Sequence, residues 1–555
     1  MEKILVKTSV KSGMITQRLG GKRALYIAEV IHEVVEILRV SGAKGSLASL
    51  ARTCWAFYDC AMDALWSTQL GFANLVPLLP EDLWKLVWMS YVKDLKIAHH
   101  LRSIEVTDLQ RFEHYARRVR HLEEPFTHDH IPFTTLSSQF FQALTPFYSN
   151  TGIFPRLRTL DIGWRLLFDH SPCAWHLFSG SIELKSFHLR TLSPPSELAF
   201  LLGIVELSSA LQELQLDLTG NVAAMTILPK TLRALPRLHT VVLATNCTPF
   251  PTEVLVAMSA LPGLVDLTLL AEAPEFVLPP LSTSLVFSTM RNLSLFGRDL
   301  PSCASLLQNV SLPQLERFAT SFLNISNRSL NSHLDALSRS CDASYLLQSV
   351  SISDQEPEAR PFSPTHRALP TEAITMNALR HLLPFRQLRM LLIETVCAFK
   401  LTNTDISDMA QAWPELLALA LVKCSDSDAP APPYPTDVTL AGLIPLARYC
   451  PNLGDIRIGL DGSQLEVLDE QGPDDIIPNL SAKYFAPSPS LCGDPAKVAA
   501  FLSCLFPCLE ELYVDIEDYA PSAWSDAEKW AEVEELVTSV GCCDGGDLQN
   551  GAAPC

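Results

Sequence analysis

Between Leu157 and Thr320 one pattern recurs at steps of roughly 25 to 27 residues: an apolar residue, two others, an apolar residue, one other, an apolar residue. The clearest copies are FPRLRTLDI at 154–162, IELKSFHL at 182–189, SALQELQL at 209–216, LPRLHTVVL at 235–243, LPGLVDLTL at 261–269, FSTMRNLSL at 287–295 and LPQLERFAT at 312–320. The last two apolar positions are two apart, so on a strand they share one face while the residue between them takes the other. A parallel neighbour needs a crossover of about a dozen residues, often helical, and the rest of each unit supplies it. One unit cannot bury its apolar face alone, so stacking must supply the core, as in a leucine-rich-repeat solenoid.

The pattern continues with looser spacing in YLLQSVSI (345–352), FRQLRMLLI (385–393), WPELLALAL (413–421), CPNLGDIRI (450–458) and FPCLEELYV (506–514). Earlier copies are expected at HHLRSIEV (99–106) and RRVRHLEE (117–124). Helix start signals precede several return segments: Asp494 then Pro495 before AKVAAFLSCLF, Thr371 then Glu372 before AITMNALRHLL, and Thr252 before EVLVAMSAL. The segment 272–285 holds too much proline for a helix. Three residues after the last apolar position, where the common repeat has Asn or Cys, this chain has Asn246 and Cys424 but Arg165, Leu192, Thr219, Glu272 and Arg298. An irregular solenoid is therefore expected.

A chain of 555 residues is too long for one ordinary globule but suits a stacked array. With 48% hydrophobic residues, most of it should fold. The formal charge of −19 opposes a nucleic-acid backbone as main partner. No apolar run reaches the length that spans a bilayer, and the first 23 residues lack the apolar core of a secretory signal. The 15 cysteines form no CxxC pair, so they read as reduced, mainly buried thiols. The sequon at Asn292 falls inside a predicted strand, where a glycan is sterically implausible.

Residues 24–70 have a different character. Ile27, Val30, Ile31, Val34, Ile37 and Leu38 recur at three and four residue steps, and after a glycine-containing loop Leu47, Leu50, Cys54, Phe57, Ala61 and Leu65 do the same. Two amphipathic helices this short need a partner or a neighbouring body to cover them. The run LASLARTCWAF followed by ALW, with LVPLLPEDLW at 75–84 after it, resembles the F-box family, in particular the fungal type in which an F-box precedes degenerate leucine-rich repeats. The matching positions are Ile27, Ala28, Val30, Ile31, Val34, Leu38, Leu47, Leu50, Thr53, Cys54, Phe57, Leu65 and Trp66. Ala28 stands where the family has proline, and Trp55 where a polar residue is common.

The resemblance implies a substrate-recognition subunit of a Skp/cullin/F-box type ubiquitin ligase, located in the cytoplasm or nucleus. Its helices would dock on a Skp-type adaptor linked to a cullin, through Ile27, Val30, Ile31, Val34, Leu38, Leu47, Leu50, Cys54, Phe57, Leu65 and Trp66. These residues would be split between that interface and internal packing. The repeats would hold a protein substrate, and the chain would be neither an enzyme nor a cofactor protein. A leucine-rich-repeat scaffold or regulatory binding protein without a ligase role is the alternative, and an enzyme or GTPase-activating repeat protein is a third.

The expected fold class is α/β: a small all-helical F-box-like module, then an irregular leucine-rich-repeat solenoid of parallel strands alternating with helices or loops. The expected division is a flexible leader 1–23, the module 24–70, a connecting segment 71–98, the solenoid 99–540 and a disordered tail 541–555. Proline- and charge-rich insertions interrupt the solenoid near 354–372, 425–437 and 461–495.

The outward face of the strands should carry the residues between the last two apolar positions: Asp161, His188, Gln215, Val242, Thr268, Ser294, Ala319, Ser351, Leu392, Ala420, Arg457 and Tyr513. Of these Asp161, His188, Gln215, Thr268, Ser294, Arg457 and Tyr513 are the candidate substrate contacts, with no run of one charge and no aromatic ladder among them. His99 with His100 and the His128, Asp129, His130 cluster lack further ligands at supporting spacing, so no metal is expected. No GxSxG elbow, GxGxxG or phosphate loop, or HExxH helix occurs. The strand phase is testable. Leu214→Ala should cost about 2 to 5 kcal/mol of local stability in thermal unfolding, and Gln215→Ala almost nothing; equal costs would show that the phase is wrong.

Overall fold

A computed structural model describes residues 28–88, 95–123, 133–148, 152–163, 178, 183–190, 210–219, 222–246, 250–271, 284–297, 300–322, 325–341, 346–354, 372–423, 436–464, 477–487, 490–514 and 524–540. The leader 1–23, the tail 541–555 and most of the insertions at 354–372 and 425–437 lie outside the described residues. The chain divides into two compact units, Met1–Glu213 and Leu214–Cys555. Both are mixed α/β, and each contains parallel strands that follow the repeat.

The second unit shows the principle. Strands Thr240–Thr245, Asp266–Ala271, Asn292–Phe296, Arg317–Ser321, Ser349–Ser353, Met390–Thr395, Ala418–Lys423, Asp455–Ile458, Tyr484–Ala486 and Glu511–Leu512 pair in that order, all parallel. The register places like repeat positions side by side. Val241, Leu267, Leu293, Phe318, Val350, Leu391, Leu419, Ile456, Phe485 and Leu512 form one row, and all are buried. Two residues on, Leu243, Leu269, Leu295, Thr320, Ile352, Ile393, Leu421 and Ile458 form a second buried row. A one-residue slip anywhere would turn both rows outward, so burial pins the register.

Return helices cover the core side. Pro495–Leu505 starts as expected, with the Asp494 carboxylate accepting the Ala496 N–H at 3.1 Å. Thr252–Ser259 starts with Thr252 as its first residue and Pro251 in the cap position. The start expected at Thr371 and Glu372 is displaced. Ile374–Thr375 pairs with Phe399–Lys400 as a strand, so the helix begins only at Met376 and ends at Leu379.

One further expectation changes in this unit. Residues 461–495, read as an insertion, contain the repeat strand Tyr484–Ala486, with Phe485 in the buried row. The acidic stretch SDAEKWAEVEE forms part of a closing helix, Trp524–Val540, that buries Ala527, Trp530, Val533 and Val537 at helical spacing. Trp530 donates its indole N–H to the Ser490 carbonyl at 3.2 Å. A Cβ on Gly462 would lie 2.9 Å from the Leu491 carbonyl and 3.3 Å from the Trp530 ring, so a side chain there would clash with the neighbouring strand backbone and crowd the tryptophan.

At the irregular turns, buried polar side chains of several kinds join neighbouring repeats. Asp354 is fully buried after Ser349–Ser353 and accepts the Ile325 N–H at 3.2 Å, with the Val396 N–H and the Thr395 hydroxyl each at 3.5 Å. Asn479 donates to the Cys450 carbonyl and accepts from the Ser481 and Ala482 N–H groups. The Ser490 hydroxyl accepts the Leu460 N–H at 2.8 Å. Each joins neighbouring repeats where a bare turn would leave backbone groups unsatisfied.

In the first unit, strands Thr68–Leu70, His121–Glu123, Thr159–Gly163 and Ser186–Arg190 pair in parallel. RRVRHLEE therefore supplies a repeat strand, but HHLRSIEV does not. Its two histidines end strand Leu95–His100, the centre of a small sheet between antiparallel Trp84–Trp88 and parallel Phe133–Leu136. Of its apolar positions Leu101 and Val106 are exposed and Ile104 is only half-buried. The Asp108 carboxylate accepts the Glu105 N–H at 2.9 Å and starts the helix Val106–Ala116.

Three helices open the described chain: α1 (Ala28–Val40), α2 (Lys44–Ala51) and α3 (Trp55–Trp66). Gly42, at a φ of +69°, ends α1; its N–H bonds the Arg39 carbonyl and the Ala43 N–H bonds the Leu38 carbonyl, a Schellman turn. The single stripe expected from Leu47 to Leu65 is broken. Cys54 is extended, at φ −158° and ψ 160°, so the stripe belongs to two helices packed on each other.

Two outcomes follow from buried polar groups. Asp354→Ala should lower stability by about 1 to 3 kcal/mol for the amide left unsatisfied, with Asp354→Asn recovering part of it in the same thermal denaturation. His333 lies fully buried between Phe318 and Phe322, and burial pushes its imidazole down to about 3. The unfolded chain takes up a proton below about pH 6.5 that the folded chain refuses. Stability should therefore fall from there toward pH 3, and His333→Leu should remove up to about 1.4 kcal/mol per pH unit of that slope; an unchanged slope would contradict the assignment.

Candidate protein-docking faces

Each unit presents an outward surface that the sequence singled out. In the first unit, Val35, Leu47, Ala51 and Ala61 form the buried centre of the helical module, with Leu38, Leu50, Tyr58 and Leu65 packed against it. Ile31 is also buried, Val34, Cys54 and Phe57 are half-buried, and Ile27 lies outside the described residues. Trp66 packs on Tyr115 of the following helix, with ring centroids 4.5 Å apart.

The wide apolar stripe of α1 splits in two. Ile31, Val35 and Leu38 face the core, whereas Val30, Ile37 and Val40 are exposed, Ile37 at 59% and Val40 at 73%. Trp55, at the start of α3, is exposed at 83% and stacks flat on Tyr58, with centroids 5.6 Å apart. Exposed aliphatic and aromatic anchors on a folded helical module are the residue types that carry interface energy. Ile37, Val40 and Trp55 were not among the adaptor-contact candidates of the sequence; only their placement outside the core distinguishes them.

The module is anchored firmly. Arg118, nearly buried, pairs with Asp59 at 2.9 Å and with Asp63, both on α3, and donates to the Asp59 carbonyl. The Ser67 carbonyl, one residue beyond α3, accepts the Arg120 and His121 N–H groups at the head of a repeat strand. Neither Arg118 nor its two acids stood out in the sequence, because the partners are far apart along the chain.

On the strand faces the register gathers the predicted middle positions. In the second unit Val242, Thr268, Ser294, Ala319, Ser351, Leu392, Ala420 and Arg457 run side by side, with Gln215 on strand Glu213–Asp217 and Tyr513 exposed after Glu511–Leu512. Ala420 is buried, and Thr268 and Ser294 are half-buried. One row earlier, Thr240 donates to Asp266 at 3.3 Å, Asn292 donates to Asp266, and Arg317 donates to Asn292 at 2.6 Å. Asn292 is thus engaged within the strands.

The later strands build the most differentiated part of this face. Arg457 holds Asp455 through two bonds of 3.1 and 2.8 Å, which raises its already high pKa, and its guanidinium lies 4.9 Å over the Tyr484 ring. Tyr484 in turn stacks on Tyr513, with centroids 6.4 Å apart. Tyr484 was missed because its strand was read as an insertion.

In the first unit Asp161 and His188 sit side by side, and the His188 Nε2 lies 3.0 Å from the Ser186 hydroxyl. The order Ser, His, Asp invites comparison with a nucleophilic triad. The His188 Nδ1 to Asp161 distance of 3.7 Å is beyond a hydrogen bond, and Ser186 is buried, so the geometry is that of a packed polar ladder. Burial holds the thiols of Cys341, Cys450 and Cys492 up at about 12 and that of Cys397 at about 11, far from a nucleophilic thiolate. Among the described residues no group of three or more His, Cys, Asp or Glu is placed to hold a metal ion, and no helix is long and apolar enough to cross a membrane.

No family model matches the chain. No curated protein matches it either. Among solved structures, a chain in the crystal structure of the Rad7 and Elc1 complex in yeast is similar over 86% of this chain and 94% of its own length, at 14% identity and a TM-score of 0.33. A likeness of that size assigns nothing further.

Proposed function

We propose that the chain is a substrate-recognition subunit of a Skp/cullin/F-box type ubiquitin ligase. The observation that carries this reading is the exposed apolar row of Val30, Ile37 and Val40 on α1, together with the exposed Trp55 at the start of α3, on a three-helix module whose sequence resembles the F-box. That row would seat on the Skp-type adaptor, which links to the cullin. Ile31, Leu38, Leu47, Leu50 and Leu65 would hold the helices in place for it. Arg118 would then transmit a fixed orientation from α3 to the strands that follow. The outward strand face, with Arg457, Tyr484 and Tyr513, would hold a protein substrate, with the chemistry of ubiquitin transfer supplied by other subunits in the cytoplasm or nucleus. The firm anchoring of α3 also favours a second reading, in which the helices cap the strands of a repeat scaffold without a ligase role.

The two readings part in one experiment. Ile37→Asp with Trp55→Asp touches only exposed side chains, so the chain should fold and melt as before. Co-purification with a Skp-type adaptor should fall about tenfold or more. Undiminished adaptor recovery from the double variant would contradict docking through this row, and no recovery from the unaltered chain would favour the scaffold. Deleting the module is the poorer test, because it strips Arg118 of both carboxylates.

A further inference from the structure

The small sheet of the first unit has an open edge of unusual composition. Strand Trp84–Trp88, sequence WKLVW, pairs on one side with Leu95–His100, and no described strand pairs with its other side. Leu86, Val87 and Trp88 are exposed at 40, 41 and 58%, so apolar side chains project on both faces of the edge. Natural edge strands are usually guarded by charge, proline or a bulge. This one has a single lysine of its own, Lys85, and one from its neighbour, Lys96, which lies 4.3 Å over the Trp88 ring.

The hydrogen-bond phase shows which backbone groups face outward. Leu101 donates to the Leu83 carbonyl, which makes 83 and 101 a bonded pair; by alternation 85 with 99 and 87 with 97 are bonded too. The Ala98 carbonyl accepts the Ser137 N–H on the opposite side, consistent with that phase. Trp84, Leu86 and Trp88 therefore direct their N–H and C=O groups to the open edge.

We propose that this edge is the seat of a second copy of the same chain, paired antiparallel about a two-fold axis at Leu86. In that register Trp84 faces Trp88 of the other copy and Leu86 faces its own counterpart, so every outward backbone group meets a complementary one. The tryptophans and leucines share a face, as favourable cross-strand pairs do. Lys85 falls opposite Val87 and never opposite another lysine, so the charge pattern is self-compatible. A one-residue slip would set inward-bonded residues against outward ones and lose the ladder. The isologous contact closes as a dimer and leaves no further edge of this strand to extend. It is independent of the adaptor-docking reading.

The test is the solution mass of the full chain across a concentration series, by light scattering and sedimentation. The unaltered chain should reach twice its monomer mass. Leu86→Pro removes an N–H that only the second copy would use, and proline is tolerated where an edge N–H points outward, so this variant should remain folded and become monomeric. Val87→Lys should also dissociate the pair by opposing Lys85, whereas Val87→Glu should keep it. A chain that stays monomeric overturns the proposal and leaves the edge to a strand of another protein; so does a dimer that persists in both Leu86→Pro and Val87→Lys.

Discussion

The repeat strands of both units answer to the fact that a short parallel strand cannot be stable by itself. Its apolar face and its two rows of backbone groups all need neighbours, and only another strand of the same phase can satisfy them together. The two buried rows that begin at Val241 and Leu243 are the physical expression of this demand. Once they are aligned, the turn at one end of each strand comes close to the turns before and after it. Buried acceptors such as Asp354, Asn479 and Ser490 then have backbone amides within reach. The closing helix answers the same need, with Trp530 laid against Ser490 and Gly462 where the repeats stop.

Much of this was legible because the repeat encodes strand phase directly. The middle positions named from the pattern between Val242 and Arg457 fall into one row in the pairing register. The pattern misled where letters matched but burial did not. HHLRSIEV has the spacing, yet Leu101 and Val106 are exposed, and the Glu105 to Asp108 start signal governs the segment. It also failed where strands were too short to repeat anything. Tyr484–Ala486 contributes one buried side chain, Phe485, to the sheet, and Thr68–Leu70 follows α3 with no repeat behind it.

The docking faces were less legible, for a reason of scale. A helical stripe with apolar residues at three and four residue steps says that a face is apolar, not which part of it is covered. In α1 the division between Ile31, Val35 and Leu38 on one side and Val30, Ile37 and Val40 on the other depends on α2 and α3. Arg118 illustrates the same limit, since its pairing with Asp59 and Asp63 joins residues that only the fold brings together. The Arg457, Tyr484 and Tyr513 cluster likewise forms from three strands.

The proposed role rests on α1 and α3 offering a surface to an adaptor while the strands remain as they are. Backbone hydrogen exchange of the full chain, alone and with a Skp-type adaptor, tests this most directly. The account predicts slower exchange in peptides from 28–66, centred on α1 and the start of α3, with the strand peptides of the second unit unchanged. Exchange in 28–66 that is indifferent to the adaptor would contradict it.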